Sequence, residues 1–154
     1  MTVSSGQNYL AIPGPSVIPE EVLRSMHRAS PNIYEGELIE ITESLIPDLN
    51  HVARSSGHVA IYIANGHGIW EAALSNMVSS GDHVLVLATG RFAHGWAEMA
   101  KKMGVSVDIL DFGKNRAVDV QILDEKLKSE PKTKYKAILM THVDTSTSVK
   151  NDIA

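Results

Sequence analysis

The sequence has no cysteine, which excludes a disulfide framework, a thiolate nucleophile and zinc held by sulfur. Aromatic residues make up only 5%, with two tryptophans and two phenylalanines, so a ring placed near a strand end carries weight. No apolar run approaches the ~20 residues of a membrane span. The opening Met1-Thr2-Val3-Ser4-Ser5-Gly6 has neither a basic start nor an apolar core, so secretion is not expected. Basic clusters are missing and the net charge is −4, which argues against a nucleic-acid-binding surface. The seven histidines are scattered, with no pair at metal-ligand spacing on one helix, and no metal site is expected. The P-loop, the three-glycine dinucleotide turn and the Gly-x-Ser-x-Gly elbow are absent too. These exclusions leave a soluble, cytoplasmic α/β protein, whose 154 residues, 44% of them hydrophobic, suffice for one core.

Read in order, residues 1–8 are polar and loose, and Pro13-Gly14-Pro15 forces a turn after a short apolar segment. Pro19-Glu20-Glu21 opens a short helix reaching about Met26. Leu38, Ile41, Leu45, Leu49 and Val52 recur at helical spacing, with Pro47 expected to kink or split that helix and Ser55-Ser56-Gly57 to stop it. From residue 58 the pattern becomes β-α-β-α-β-α-β. A strand over 58–64 is followed by a helix over 69–78, and a continuous apolar strand begins at His83. A helix with Phe92, Trp96, Met99, Ala100 and Met103 on one face then ends at Gly104. A strand over 105–110, a helix after Asp119 and a strand over 136–141 complete the series. This order implies a mostly parallel sheet with helices on both faces. We place the domain boundary at 57/58: an N-terminal arm with its helices over 1–57, and the sheet domain over 58–154.

Ligands of open α/β sheets sit beyond the carboxyl ends of the strands. Three such ends are informative. Asn65-Gly66-His67-Gly68 is a glycine turn before a helix, where free N–H groups and the helix dipole favour an anion, most often a phosphate. It also reads as a plain turn. Phe92, after Thr89-Gly90-Arg91, is placed either to lie over a flat ligand or to begin the core face of its helix. Thr141-His142-Val143-Asp144-Thr145-Ser146-Thr147-Ser148 crowds hydroxyls and an acid after a buried strand, as an exposed polar loop or as hydrogen-bonding groups for a ligand.

These ends, in this order, resemble those of class V, fold-type I pyridoxal-phosphate aminotransferases, in particular the serine–glyoxylate and alanine–glyoxylate branch. Five segments carry the resemblance: Ile12-Pro13-Gly14-Pro15-Ser16 with Pro19-Glu20-Glu21, Gly66-His67-Gly68-Ile69-Trp70-Glu71-Ala72-Ala73-Leu74, Gly81-Asp82-His83, Gly90-Arg91-Phe92-Ala93-His94-Gly95-Trp96 and Thr141-His142-Val143-Asp144-Thr145-Ser146-Thr147-Ser148-Val149. The resemblance implies pyridoxal phosphate as cofactor, with Asn65, Gly66 and His67 cradling its phosphate. Phe92 would stack on its ring, Thr145 would hydrogen-bond near its ring oxygen, and Gly14 would help hold the substrate carboxylate. The implied reaction moves an amino group from a small amino acid, serine or alanine, to a small 2-oxo acid such as glyoxylate, in a homodimer.

Departures from the family pattern bear on these roles. Asn65 stands where many relatives have serine, Val143 replaces a small or amide residue, and Ser148 replaces a glycine, at a backbone cost if that position needs positive φ. The family's Schiff-base lysine, its aspartate partner for the pyridinium nitrogen and its substrate-binding arginine would lie downstream of Ala154. The chain is therefore expected to be the N-terminal part of a longer enzyme and not to complete the reaction alone. Two rival readings remain: a non-catalytic fragment that binds a phosphate compound or a partner subunit, and another fold-type I enzyme such as a cysteine desulfurase or phosphoserine aminotransferase.

Overall fold

The structure, a computed structural model, describes residues 10–12, 14–132 and 134–153. The loose opening expected over residues 1–8, and Pro13, lie outside the described residues. The chain forms two compact units that meet between Tyr62 and Ile63, a few residues beyond the boundary expected at 57/58.

The first unit contains α1 (Glu20–Met26) and α2 (Glu37–Ala53). Pro19 precedes α1, and Glu20 and Glu21 face the positive end of the helix dipole. Of the kink or split expected at Pro47, the split does not occur: α2 runs unbroken through it. The proline withholds one N–H from the ladder, and the turns on either side keep theirs. The helix stops at Arg54, which takes the left-handed conformation (φ 51°), one residue before the expected serine-glycine stop. Neither helix has a buried residue.

The second unit contains α3 (Gly66–Met77), β1 (His83–Ala88), α4 (Arg91–Lys102), β2 (Ser106–Asp111), α5 (Val120–Lys128) and β3 (Ala137–Met140). A hairpin of β4 (Val143–Asp144) and β5 (Val149–Lys150) follows. The three long strands form a parallel sheet in the order β2-β1-β3. The strand expected over 58–64 does not form. Ile61, Tyr62 and Ile63 are exposed, and no described strand runs beside them. A β-branched run becomes a strand only where a neighbour takes its backbone hydrogen bonds.

Central β1 is covered on both faces, as its unbroken apolar sequence demands. Val84, Val86 and Ala88 pack with Leu74 of α3 and with Ala93, Ala97 and Ala100 of α4. Leu85 and Leu87 point the other way, into Phe112 and the Leu123 and Leu127 side of α5. Each fully buried leucine contributes roughly 1.5–3 kcal/mol. The buried stripe of α4 is thus alanine, which lets the helix lie close to β1. Of the larger residues expected on its core face, Trp96, Met99 and Met103 are half-buried and pack against this cluster, while half-buried Phe92 is not part of it.

Towards the start of β1 and β3, Asp108 of β2 binds Lys134 Nζ at 2.8 Å and accepts from Tyr135 Oη at 2.5 Å. His83 Nε2 comes within 3.1 Å of the same carboxylate without hydrogen-bond alignment. The ammonium of Lys134, then the Tyr135 hydroxyl, hold the Asp108 carboxyl well below the usual carboxylate range. This cluster ties β2 to the segment that leads into β3.

Candidate active site

The opposite, carboxyl ends of β1 and β3 carry the candidate site. At the head of α3, Gly66-His67-Gly68 is the first helical turn itself and not a loop before it. Asn65 explains this. Its backbone is extended, and its Oδ1 accepts the N–H groups of His67 (3.1 Å) and Gly68 (3.2 Å), the geometry of a helix N-cap. Asn65 O accepts from Ile69 N, so of the first four donors of α3 only the Gly66 N–H has no partner among the described residues. Gly68 is required for packing, since a Cβ there would lie 2.7 Å from that of Ala64.

The head of α4 is capped from far along the chain. Phe92 N and Ala93 N donate to Asp144 Oδ2 at 2.9 and 3.1 Å, and Arg91 N donates to Ser146 Oγ at 2.9 Å. The other oxygen, Asp144 Oδ1, accepts from Ser146 N (3.1 Å) and Ser146 Oγ (2.6 Å). Asp144 is fully buried, and a Cβ on Gly90 would collide with its carboxylate. Thr147 Oγ1 donates to Thr89 O, and buried Asn151 donates to Thr89 Oγ1 and Thr141 O while accepting from Val118 N. Within the polar cluster after β3, Asp144, Ser146 and Thr147 are therefore committed inside the fold, whereas Thr145 and Ser148 stay exposed with their hydroxyls unbonded among the described residues. Ser148 closes the hairpin with φ 60°, the positive value that its replacement of glycine raised as a possibility.

Between these two helix heads lies a cleft of about 440 Å³, lined by Gly66, His67, Trp70, Phe92, Trp96, Met140, Thr141, His142, Val143 and Thr145. Its wall is a continuous aromatic cluster. His67 meets Trp70 edge-on with ring centroids 4.6 Å apart, Phe92 lies 5.9 Å from Trp70, and Trp96 stacks on Trp70 at 5.7 Å. Of the residues expected at the site, Gly66, His67, Phe92 and Thr145 come together here. Asn65 is not in the lining, because its side chain is turned into its own helix. Gly14 belongs to the first unit, exposed in a bend.

Sequence reasoning missed Trp70 and Trp96 as walls of the cleft. The spacing of Trp70 three residues after His67, on one helical face, was the available signal. It also missed Asp144 and Asn151 as structural ties, for which no local pattern exists. Trp96 Nε1 and Thr141 Oγ1, both on cleft-lining residues, are buried without a hydrogen-bond partner among the described residues. The described residues contain no cluster able to hold a metal ion. No described helix is long and apolar enough to cross a membrane.

No protein-family model matches the chain. The serine–glyoxylate aminotransferase of Arabidopsis thaliana is 31% identical over 150 residues, which is 97% of this chain and 37% of that protein. The enzyme of the same name from Methylorubrum extorquens is 33% identical over 149 residues, 96% of this chain and 37% of that protein. Among solved structures, pyridoxamine–pyruvate aminotransferase from Mesorhizobium loti superposes with a TM-score of 0.78 at 26% identity, covering 92% of this chain and 36% of that one. The alanine–glyoxylate aminotransferase of a Nostoc species, at 22% identity and a TM-score of 0.78 over 92% of this chain and 37% of that one, shares the fold. The chain thus spans about 37% of the length of these curated relatives. Over nearly all its residues, in sequence and in fold, this chain is similar to the class V aminotransferases of the pyridoxal-phosphate transferase fold, consistent with their N-terminal portion.

Proposed function

We propose that the protein to which this chain belongs is a pyridoxal-phosphate-dependent aminotransferase. It would exchange an amino group between a small amino acid, serine or alanine, and a small 2-oxo acid such as glyoxylate, as a cytoplasmic homodimer. One observation carries the reading: a helix head with a free N–H, an aromatic wall and two threonine hydroxyls meet in one cleft at the carboxyl ends of a parallel sheet. The residues present fit the cofactor. Gly66 N–H and the head of α3 suit the phosphate, Phe92 offers a ring face for the pyridine, and Thr145 a hydroxyl for its ring oxygen. The Asn65 cap is the one competitor, since a phosphate gains the His67 and Gly68 N–H groups only where the Asn65 amide turns away.

When bound, pyridoxal phosphate supplies the electron sink for carbanion character at the α-carbon of the amino acid. This chain's own residues bind and orient. The head of α3 holds the anion, Phe92 with Trp70 and Trp96 excludes water from one side, and Thr145 fixes the ring rotation. No lysine is among the described residues lining the cleft. We therefore assign the chain a binding role and not a complete catalytic set. Gly14 keeps its proposed place beside the substrate carboxylate.

Both tryptophans of the chain line this cleft, so intrinsic emission reports on it directly. Titration with pyridoxal phosphate is expected to give saturable quenching that inorganic phosphate competes away and that Phe92→Ala weakens. Quenching without saturation, or an unaffected Phe92→Ala variant, would overturn the reading. Serine or alanine with glyoxylate, given to the longer protein, tests the reaction itself.

A further inference from the structure

Two of the proposed cofactor contacts, Phe92 and Thr145, sit on different elements: the head of α4 and the hairpin after β3. One buried carboxylate joins them. Asp144 Oδ2 accepts the Phe92 and Ala93 N–H groups, and Asp144 Oδ1 accepts both the N–H and the hydroxyl of Ser146, the residue that follows Thr145. The bonds to the carboxylate are charge-assisted, and the residue is wholly shielded from water, so the geometry is stiff. Space enforces it further, because Gly90 leaves no room for any side chain between α4 and the carboxylate. The Ser146 hydroxyl in turn accepts from Arg91 N, which closes a ring of contacts around the head of α4.

We propose that Asp144 is a positioning residue for ligand binding: it sets the separation between the Phe92 ring and the Thr145 hydroxyl, so that a planar ring carrying a hydrogen-bonding oxygen fits both at once. This rests on the reading of the cleft as a pyridoxal-phosphate site. Asp144 touches no ligand and acts only through the two residues it holds. The phosphate end of the cleft, at the head of α3, has no hydrogen bond to Asp144, and its one link to that residue is the Phe92 ring lying 6.0 Å from His67 and 5.9 Å from Trp70.

That asymmetry supplies the test. In Asp144→Ala both elements lose their tie. In Asp144→Asn a single amide oxygen serves either the head of α4 or Ser146, but not both. Tryptophan quenching by pyridoxal phosphate is measured beside that by inorganic phosphate, and melting temperature is recorded for each variant. Leu127→Ala, on the opposite face of the sheet, serves as a control for general destabilisation. The expected result is a loss of pyridoxal-phosphate affinity on the order of tenfold in Asp144→Ala, a smaller loss in Asp144→Asn, and unchanged phosphate affinity in both. Equal losses for the two ligands, or an equal loss in Leu127→Ala, would reduce Asp144 to a structural part and overturn the proposal. Normal pyridoxal-phosphate affinity in Asp144→Ala would overturn it while leaving the cofactor reading intact. Failure of the unsubstituted chain to bind pyridoxal phosphate would overturn that reading first, and this one with it.

Discussion

Replacing Ser148 by glycine is expected to stabilise the protein. Ser148 sits at φ 60° in the turn of the hairpin, in the left-handed region that costs a residue with a Cβ roughly 1–2 kcal/mol. Its backbone N–H donates to Asp144 O at 2.8 Å, a bond glycine keeps. The hydroxyl makes no hydrogen bond among the described residues and the side chain is exposed, so little is lost with it. Against the relief stands the greater freedom glycine gives up on folding, roughly 0.5–1 kcal/mol. The balance is a gain of about 0.5–1 kcal/mol, which for a chain of this size raises the melting temperature by about 2 °C. Calorimetry or urea unfolding of Ser148→Gly, Ser148→Ala and Ser148→Val checks the account. Alanine should match serine, since both carry a Cβ, and β-branched valine should be least stable. A glycine variant that melts at or below the parent, or a valine variant as stable as serine, would refute it.

Acid sensitivity is expected to centre on Asp108. Its folded carboxyl is held below the ordinary range by Lys134 and Tyr135, so its stabilisation is complete above the unfolded value of about 4 and is lost as pH falls through the folded one. Asp108→Asn should therefore weaken the protein at neutral pH and flatten its loss of stability below about pH 4. Parallel urea-midpoint curves for the two proteins would contradict this. Asp119 caps α5 by accepting from Gln121 N at 2.9 Å and Ile122 N at 3.4 Å. Asp119→Ala should cost about 1 kcal/mol in chemical denaturation, and a neutral result would show that those two donors are as well served by water.

Much of the second unit was legible because its signals are local. The unbroken apolar run from His83 gave a two-sided strand, Gly104 (φ 80°) marked the end of α4, and Asp119 announced α5. The failures share a different character. Residues 58–64 have the composition of a strand, yet composition cannot state whether a neighbour exists to pair with them. Gly66-His67-Gly68 reads as a turn until the Asn65 side chain is seen closing the helix over it. The polar loop after β3 offers hydroxyls and an acid with no hint that Asp144 and Asn151 are committed to partners at positions 92, 93, 89 and 118. Contacts of that range are fixed by packing, and no spacing rule encodes them. At the site, the residue types at the strand ends were readable and their division of labour was not. Asn65 stood among the anion ligands in sequence and serves its own helix in the structure.

The capping of α4 by a carboxylate 52 residues beyond Phe92 bears on how the protein comes to be made. Synthesis runs from the N-terminus, and domains form as their parts emerge. When α4, β2 and α5 have left the ribosome, the amides of Phe92 and Ala93 still face solvent, because Asp144 has not been translated. β1 likewise waits for its second neighbour until 137–140 arrives. The stretch from 137 to 147 thus seats the third strand, caps the helix and delivers Thr145 beside Phe92 together. The cleft, lined by residues from Gly66 to Thr145, cannot close before that stretch has emerged.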